Sequence, residues 1–268
     1  MKNYSENERE FFKSLLLDFE IRTDGRNKLA IRNFEVIQNV LPSCFSSLKL
    51  TYDNNQKEIL FAIKGDIVQL NPNEDPSAEK LFQVSIDTMY KVDDPKLKMQ
   101  MENYIETLTF GKIPLDAFKV DKNNNEYFWK FYLDIYVFDT LKLSLLQILA
   151  LGVKNLIKSI KTPRMVIFKN EITGAKEYDL IENYEDVTLE EKEIAQFEGV
   201  ELPEVYVFAE LNNTVYLDPT EEETSVATSI VIVSSFKDKT ISIQSIGASV
   251  DIQKILDLNN LLKSIEIN

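Results

Sequence analysis

This chain of 268 residues contains no histidine. The absence removes the side chain that most often shuttles protons near neutral pH, the Ser-His and Cys-His nucleophile pairs, and the commonest zinc ligand. Carboxylate and lysine chemistry remain open. A single cysteine, Cys44, excludes an internal disulfide and fits a reducing compartment. Seven glycines and eight prolines leave little material for long flexible linkers. The longest apolar run, residues 141–151, is broken by Lys142, Ser144 and Gln147, so no membrane-spanning segment is expected. The polar, acidic start of the chain reads against a secretory signal. Positive charge is also scarce. With 30 basic against 44 acidic residues the net charge is −14, which on average repels a phosphate backbone. Any nucleic-acid contact must come from a local basic patch or from partners.

What is present is globular. Hydrophobic residues make up 44% and charged ones 28% of a length that buries one large core or two smaller ones, and two subdomains are expected. Phe11, Phe12, Leu15, Leu16 and Phe19 recur at helical steps, and Ser5 with Glu8 has the spacing of a capping box, predicting a helix from about residue 6. Strands are predicted over 33–40, 45–52, 58–68, 81–87 and 127–138, with helices over 95–111 and 144–161. Residues 69–79 read as an acidic loop with two prolines. Residues 170–200 are rich in acids (Glu182, Glu185, Asp186, Glu190, Glu191, Glu193) and read as a solvated connection. Beyond it the pattern repeats more briefly, with strands over 205–211, 214–217, 229–234 and 240–246 and a closing helix over 252–265. Strands followed by helices, twice, indicate an α+β fold of two β-sheet/helix halves packed together.

The most informative stretch is Ile21-Arg22-Thr23-Asp24-Gly25-Arg26, between the first helix and the first strands. Asp24-Gly25 is a turn signal, since Gly accepts positive φ and Asp bonds its own backbone. Arg22, Arg26 and Arg32 follow one another across that turn. One reading pairs them with carboxylates and backbone to lock the turn. The other places them against a phosphate chain.

Several blocks resemble the RNase PH family, which includes the ring subunits of the exosome. Ile21 to Arg26 resembles the family's Ile-Arg-x-Asp-Gly-Arg opening, and residues 41–50 sit where the family has a small-residue hairpin. Trp129 to Phe138, the helix after it and Thr162-Pro163-Arg164 resemble the central strand and helix. Tyr216-Leu217-Asp218-Pro219-Thr220-Glu221-Glu222-Glu223 resembles the Val-Asp-Pro-Thr-x-Glu-Glu element of the second half. The resemblance implies an RNase PH-like division: 1–24 as N-terminal helix and lead-in, 25–168 as the first subdomain, 169–200 as an acidic connection and 201–268 as the second subdomain.

Active members of that family let inorganic phosphate attack the terminal RNA phosphodiester and release a nucleoside diphosphate. Their phosphate cradle is written Gly-Gly-(Thr/Ser)-Arg after an Asp, at a helix start. Here Asp139 is followed by Thr140-Leu141-Lys142-Leu143, without either glycine or the arginine. The family's catalytic carboxylate lies on the strand after the Asp-Pro-Thr element. Counting on from Asp218 reaches Ile230, with Thr228 where a second acid often sits, and no acid occurs between Glu223 and Asp238. The expectation is a catalytically silent member with no catalytic residue, no metal and no cofactor. The consecutive glutamates 221–223 are expected to face solvent or a partner.

The resemblance implies a structural subunit that joins five other RNase PH-like chains and cap proteins, threading single-stranded RNA through the assembled channel. Arg22, Arg26, Arg32 and Lys64 are the candidate RNA contacts. Nucleus, nucleolus and cytoplasm are the implied compartments, and no membrane association is expected. The competing readings are an active phosphorolytic 3′–5′ exoribonuclease and an acidic scaffold unrelated to RNA.

Overall fold

A computed structural model of the chain describes residues 4–53, 55–70, 78–90, 94–109, 111, 113–120, 126–172, 174, 176–180, 193–195, 197–237 and 239–248. Helix α1 spans Glu6–Leu17 and starts where the capping box places it. The Ser5 hydroxyl accepts the Glu8 N–H, and the Glu8 carboxylate accepts the Ser5 N–H at 2.7 Å. Its apolar face is narrower than the periodicity suggested. Leu16 is buried against Leu211, Tyr216 and Val226, whereas Phe11 and Phe19 are exposed, Phe19 lying past the end of the helix.

The first sheet has the order β1 (Phe34–Gln38), β2 (Ser46–Tyr52), β3 (Lys57–Gln69), β5 (Tyr127–Val137), β4 (Phe82–Thr88). All neighbours are antiparallel except β4 and β5, which run parallel. Parallel neighbours need a crossover, and helix α2 (Pro95–Thr109) supplies it. The aromatic, β-branched run of β5 explains its central place: Phe131, Leu133, Ile135 and Val137 alternate inward, and Lys130, Asp134 and Tyr136 point away.

Helix α3 (Leu146–Lys158) follows a 3-10 turn at Leu143–Leu145. It is apolar almost all round because it is covered on both sides, by β2 and β3 of the first sheet and by β10 (Glu204–Leu211) of a second. The fit is close at Gly152, where an added Cβ would meet the Phe61 ring at 2.2 Å. The second sheet is antiparallel throughout, in the order β11 (Thr214–Leu217), β10 (Glu204–Leu211), β12 (Ser229–Phe236), β13 (Lys239–Gly247). Asn212 and Asn213, both at positive φ, make the two-residue turn from β10 to β11.

The stretch expected to be a solvated connection is partly structured. Strand β7 (Met165–Lys169) pairs with β8 (Lys176–Leu180), and β6 (Lys161–Pro163) pairs with β9 (Glu193–Ala195). The turn of the first pair is held by Asn170, whose carbonyl accepts the N–H of Gly174, a residue at positive φ. Of the acids counted there, Glu182, Glu185, Asp186, Glu190 and Glu191 lie outside the described residues, as do most of the acidic loop before β4 and the closing helix expected over 252–265.

A short helix, α4 (Glu221–Val226), was not expected. Its signal was present in the sequence: Thr220 and Glu223 form a second capping box, with the Glu223 carboxylate accepting the Thr220 N–H at 2.9 Å. Among the described residues no helix is long and apolar enough to cross a membrane.

Candidate functional site

The turn at 21–26 and the Asp-Pro-Thr-Glu-Glu-Glu block meet in space. The Arg22 guanidinium is fully buried and holds Glu223 through two hydrogen bonds of 2.8 Å. Its remaining N–H groups donate to the carbonyls of Leu217 and Asp218, each at 3.0 Å, and to those of Asn27 and Ala30. Arg32 donates to the Asp218 carboxylate at 2.9 Å and to the Pro219 carbonyl at 3.0 Å. Arg26 donates to Asp24 at 2.6 Å and, at 3.0 Å, to the same Asp218 oxygen that Arg32 reaches at 2.9 Å. Asp218 sits at positive φ, which an Asp tolerates, and the Arg32 backbone N–H completes its shell.

The electrostatics follow from these contacts. Burial alone would pull the Arg32 pKa down, but the Asp218 carboxylate outweighs it and holds the pKa above the usual value. For Asp24, burial pulls upward, and hydrogen bonds from Arg26 overcome it and lower the pKa. The glutamate trio therefore divides. Glu223 is buried on an arginine instead of facing solvent, because the capping box turns it inward. Glu222 accepts from Tyr4 at 3.1 Å, and Glu221 pairs with Lys142 at 2.7 Å.

Lys142 also reaches Asp139, at 3.6 Å, so its charge is shared between two carboxylates at the start of α3. Reading Gly-Gly-(Thr/Ser)-Arg onward from Asp139 puts Leu143 at the arginine's place. Leu143 lies in a cleft between α2, the start of α3 and the β12–β13 face. With it stand Gln100, Asn103, Tyr104, Ile232, Gln244 and Ile246, and none of the described residues lining the cleft is charged. Ile230 packs against the main core, and Thr228 is exposed with its backbone bonded to Glu210 and Ala248.

Of the candidate RNA contacts, Arg22 and Arg32 are buried in the ionic node and Arg26 is largely enclosed by it, so their polar atoms are committed within the chain. Lys64 stands apart, exposed on β3 opposite Tyr132. The small-residue hairpin has a packing role: Ser47 accepts the Leu41 N–H at 2.7 Å, and Ser46 meets Ser159 at the end of α3.

No family model matches the chain. A curated protein does: "Exosome complex component RRP42" of Saccharomyces cerevisiae (strain ATCC 204508 / S288c) is 21% identical over 223 residues, covering 83% of this chain and 77% of that protein. Among solved structures, one described as "archaeoglobus fulgidus exosome with RNA bound to the active site" superposes with a TM-score of 0.69 at 17% identity, over 95% of this chain and 93% of its own. A second, "Archaeal exosome core", gives 0.66 at 17% identity over 95% and 91%. Rice (Oryza sativa) Rrp46 gives 0.55 at 15% identity over 92% and 96%. The fold is RNase PH-like. The likeness read from sequence, to exosome ring subunits and most of all to ribosomal RNA processing protein 42, is thus met by a sequence relative and by solved structures alike. The two larger sheets lie on either side of α3.

Proposed function

We propose that this chain is a non-catalytic ring subunit of an exosome core, acting by geometry on RNA that is processed or degraded from its 3′ end, ribosomal RNA included. The carrying observation is the neutral cleft at the start of α3. Phosphorolysis needs a cradle for an attacking phosphate and a group that handles the leaving nucleotide's charge. In this cleft Leu143 and Ile232 face a lining of amides, hydroxyls and aliphatic side chains. Lys142, the nearest cation along the chain, is neutralised by Asp139 and Glu221.

Apolar side chains on the outer strands support assembly. Phe34 and Ile37 are exposed on β1, the edge of the first sheet, and Ile241 and Ile246 on β13, the edge of the second. Obligate interfaces are large and apolar, and exposed edge strands invite pairing. In this reading the chain pairs with a related chain, joins five RNase PH-like subunits and cap proteins, and helps a channel pass single-stranded RNA to a nuclease elsewhere, in nucleus, nucleolus and cytoplasm.

The test is co-expression with the other ring-type chains, followed by a 3′-end phosphorolysis assay on the purified assembly. Stable co-assembly with no nucleoside diphosphate traceable to this chain supports the proposal. Nucleoside diphosphate released by this chain alone overturns it.

A further inference from the structure

Positive charge is unevenly placed along this chain. No acidic residue occurs between Asp139 and Glu171, while Lys142, Lys154, Lys158, Lys161, Arg164 and Lys169 all fall there. Removing those six cations from a net of −14 leaves −20 on the remainder. A solvated chain has no structural need for such segregation.

The fold brings part of this interval into one groove. Lys154 and Lys158 stand one turn apart on α3, and Lys237 joins them from the end of β12, with Ser235 and Phe236 in the same lining. Two glutamates line it as well: Glu204 is paired with Lys154 and Glu201 with Lys237 at 2.9 Å. Burial would raise the Glu204 pKa, but hydrogen bonds from Lys154 and Tyr206 and the nearby charge of Lys158 hold it low. Lys158 is exposed and pairs with no carboxylate among the described residues, and the same holds for Arg164. The two cations are six positions apart in sequence, so the chain keeps them within about 21 Å of each other. Aromatic rings accompany the charge. Lys237 lies 5.4 Å from the centroid of the half-buried Phe236 ring, and Phe168, beside Lys169, is 42% exposed.

We propose that Lys158 and Lys237 in this groove, together with Arg164 six positions beyond Lys158 along the chain, bind the phosphate backbone of single-stranded RNA outside the cleft described above. The unpaired Lys158 and Arg164 supply the backbone attraction, and the Phe168 and Phe236 rings offer stacking surfaces to bases of any sequence. That pairing of cation and ring favours RNA over an acidic protein surface. The inference rests on the RNA-handling reading, and the two fail separately, since assembly is read by co-purification and this surface by RNA affinity.

The measurement is fluorescence anisotropy of a short labelled oligouridylate with the full-length chain, alone or in its assembly, at low and moderate salt. The double variant Lys158→Glu/Arg164→Glu is expected to weaken binding about tenfold or more and to flatten the salt dependence. Lys80→Glu/Lys96→Glu makes the same charge change at two exposed lysines elsewhere and should bind as the parent does. Matching thermal melts show that both variants fold. Equal loss in the two variants, no loss in the first, or no RNA binding by the parent overturns the proposal. So does displacement of RNA by polyglutamate as readily as by unlabelled RNA, which would assign these cations to an acidic protein.

Discussion

Two places where the halves of this molecule meet are built on opposite principles. At the first, Arg22, Arg26 and Arg32 close on Asp218 and Glu223, and nearly every donor and acceptor is spoken for. At the second, the cleft between α2, the start of α3 and β12–β13, the described lining carries no charge. The resemblance to phosphorolytic enzymes leads one to look for ionic chemistry at the second. The contrast shows that charge in this chain holds its ends together: buried ions survive only when paired and fully hydrogen-bonded, and the node meets that condition.

The sharpest way to break the contrast is Glu223→Ala. It leaves the buried Arg22 guanidinium without its bidentate partner, and denaturant unfolding should show a loss of about 3–5 kcal/mol. A variant as stable as the parent would mean that the node is ornamental. Next comes Leu143→Arg, which puts a cation into the neutral cleft. It should cost about 1–3 kcal/mol through partial burial of an unpaired polar group. It should produce neither phosphate-dependent thermal stabilisation nor nucleoside diphosphate release; phosphate stabilising this variant would show that a cradle persists there.

Smaller effects sharpen the node itself. Thr220→Ala removes the cap of α4, and a loss of about 1 kcal/mol is expected in the same unfolding assay. The smallest effect is a pH dependence. Asp24 has its pKa lowered from 3.8 in the folded chain, so its contribution is present above that value and is lost as pH falls through the folded pKa. Asp24→Asn should therefore flatten the acid limb of the stability curve, and a curve of unchanged steepness would count against the Arg26 contact as its cause.

Much of the architecture was legible in the residues. Alternation in the aromatic run before Val137, the apolar helix before Pro163 and the Ser5–Glu8 capping box correspond to β5, α3 and the start of α1. Where the pattern failed, long-range packing decided. Phe11, Leu16 and Phe19 belong to one apolar series in the sequence, yet of the three only Leu16 finds Leu211, Tyr216 and Val226, nearly 200 or more positions along the chain. The pairing of β6 with β9 joins strands of three residues, too short for periodicity to register.

By itself the sequence determined the order of the main strands and of the first three helices, the two-half plan, the lack of histidine chemistry and the presence of arginines around a turn. Each of these follows from side-chain type and short-range spacing. Only the tertiary structure decided which carboxylates those arginines meet, that Glu223 faces inward while Glu221 takes Lys142, and that Leu143 opens into a cleft without charged lining. The reason is that an ion pair is settled by distance in space and by what excludes water around it. For Arg22 and Glu223, 201 positions apart, neither is written locally.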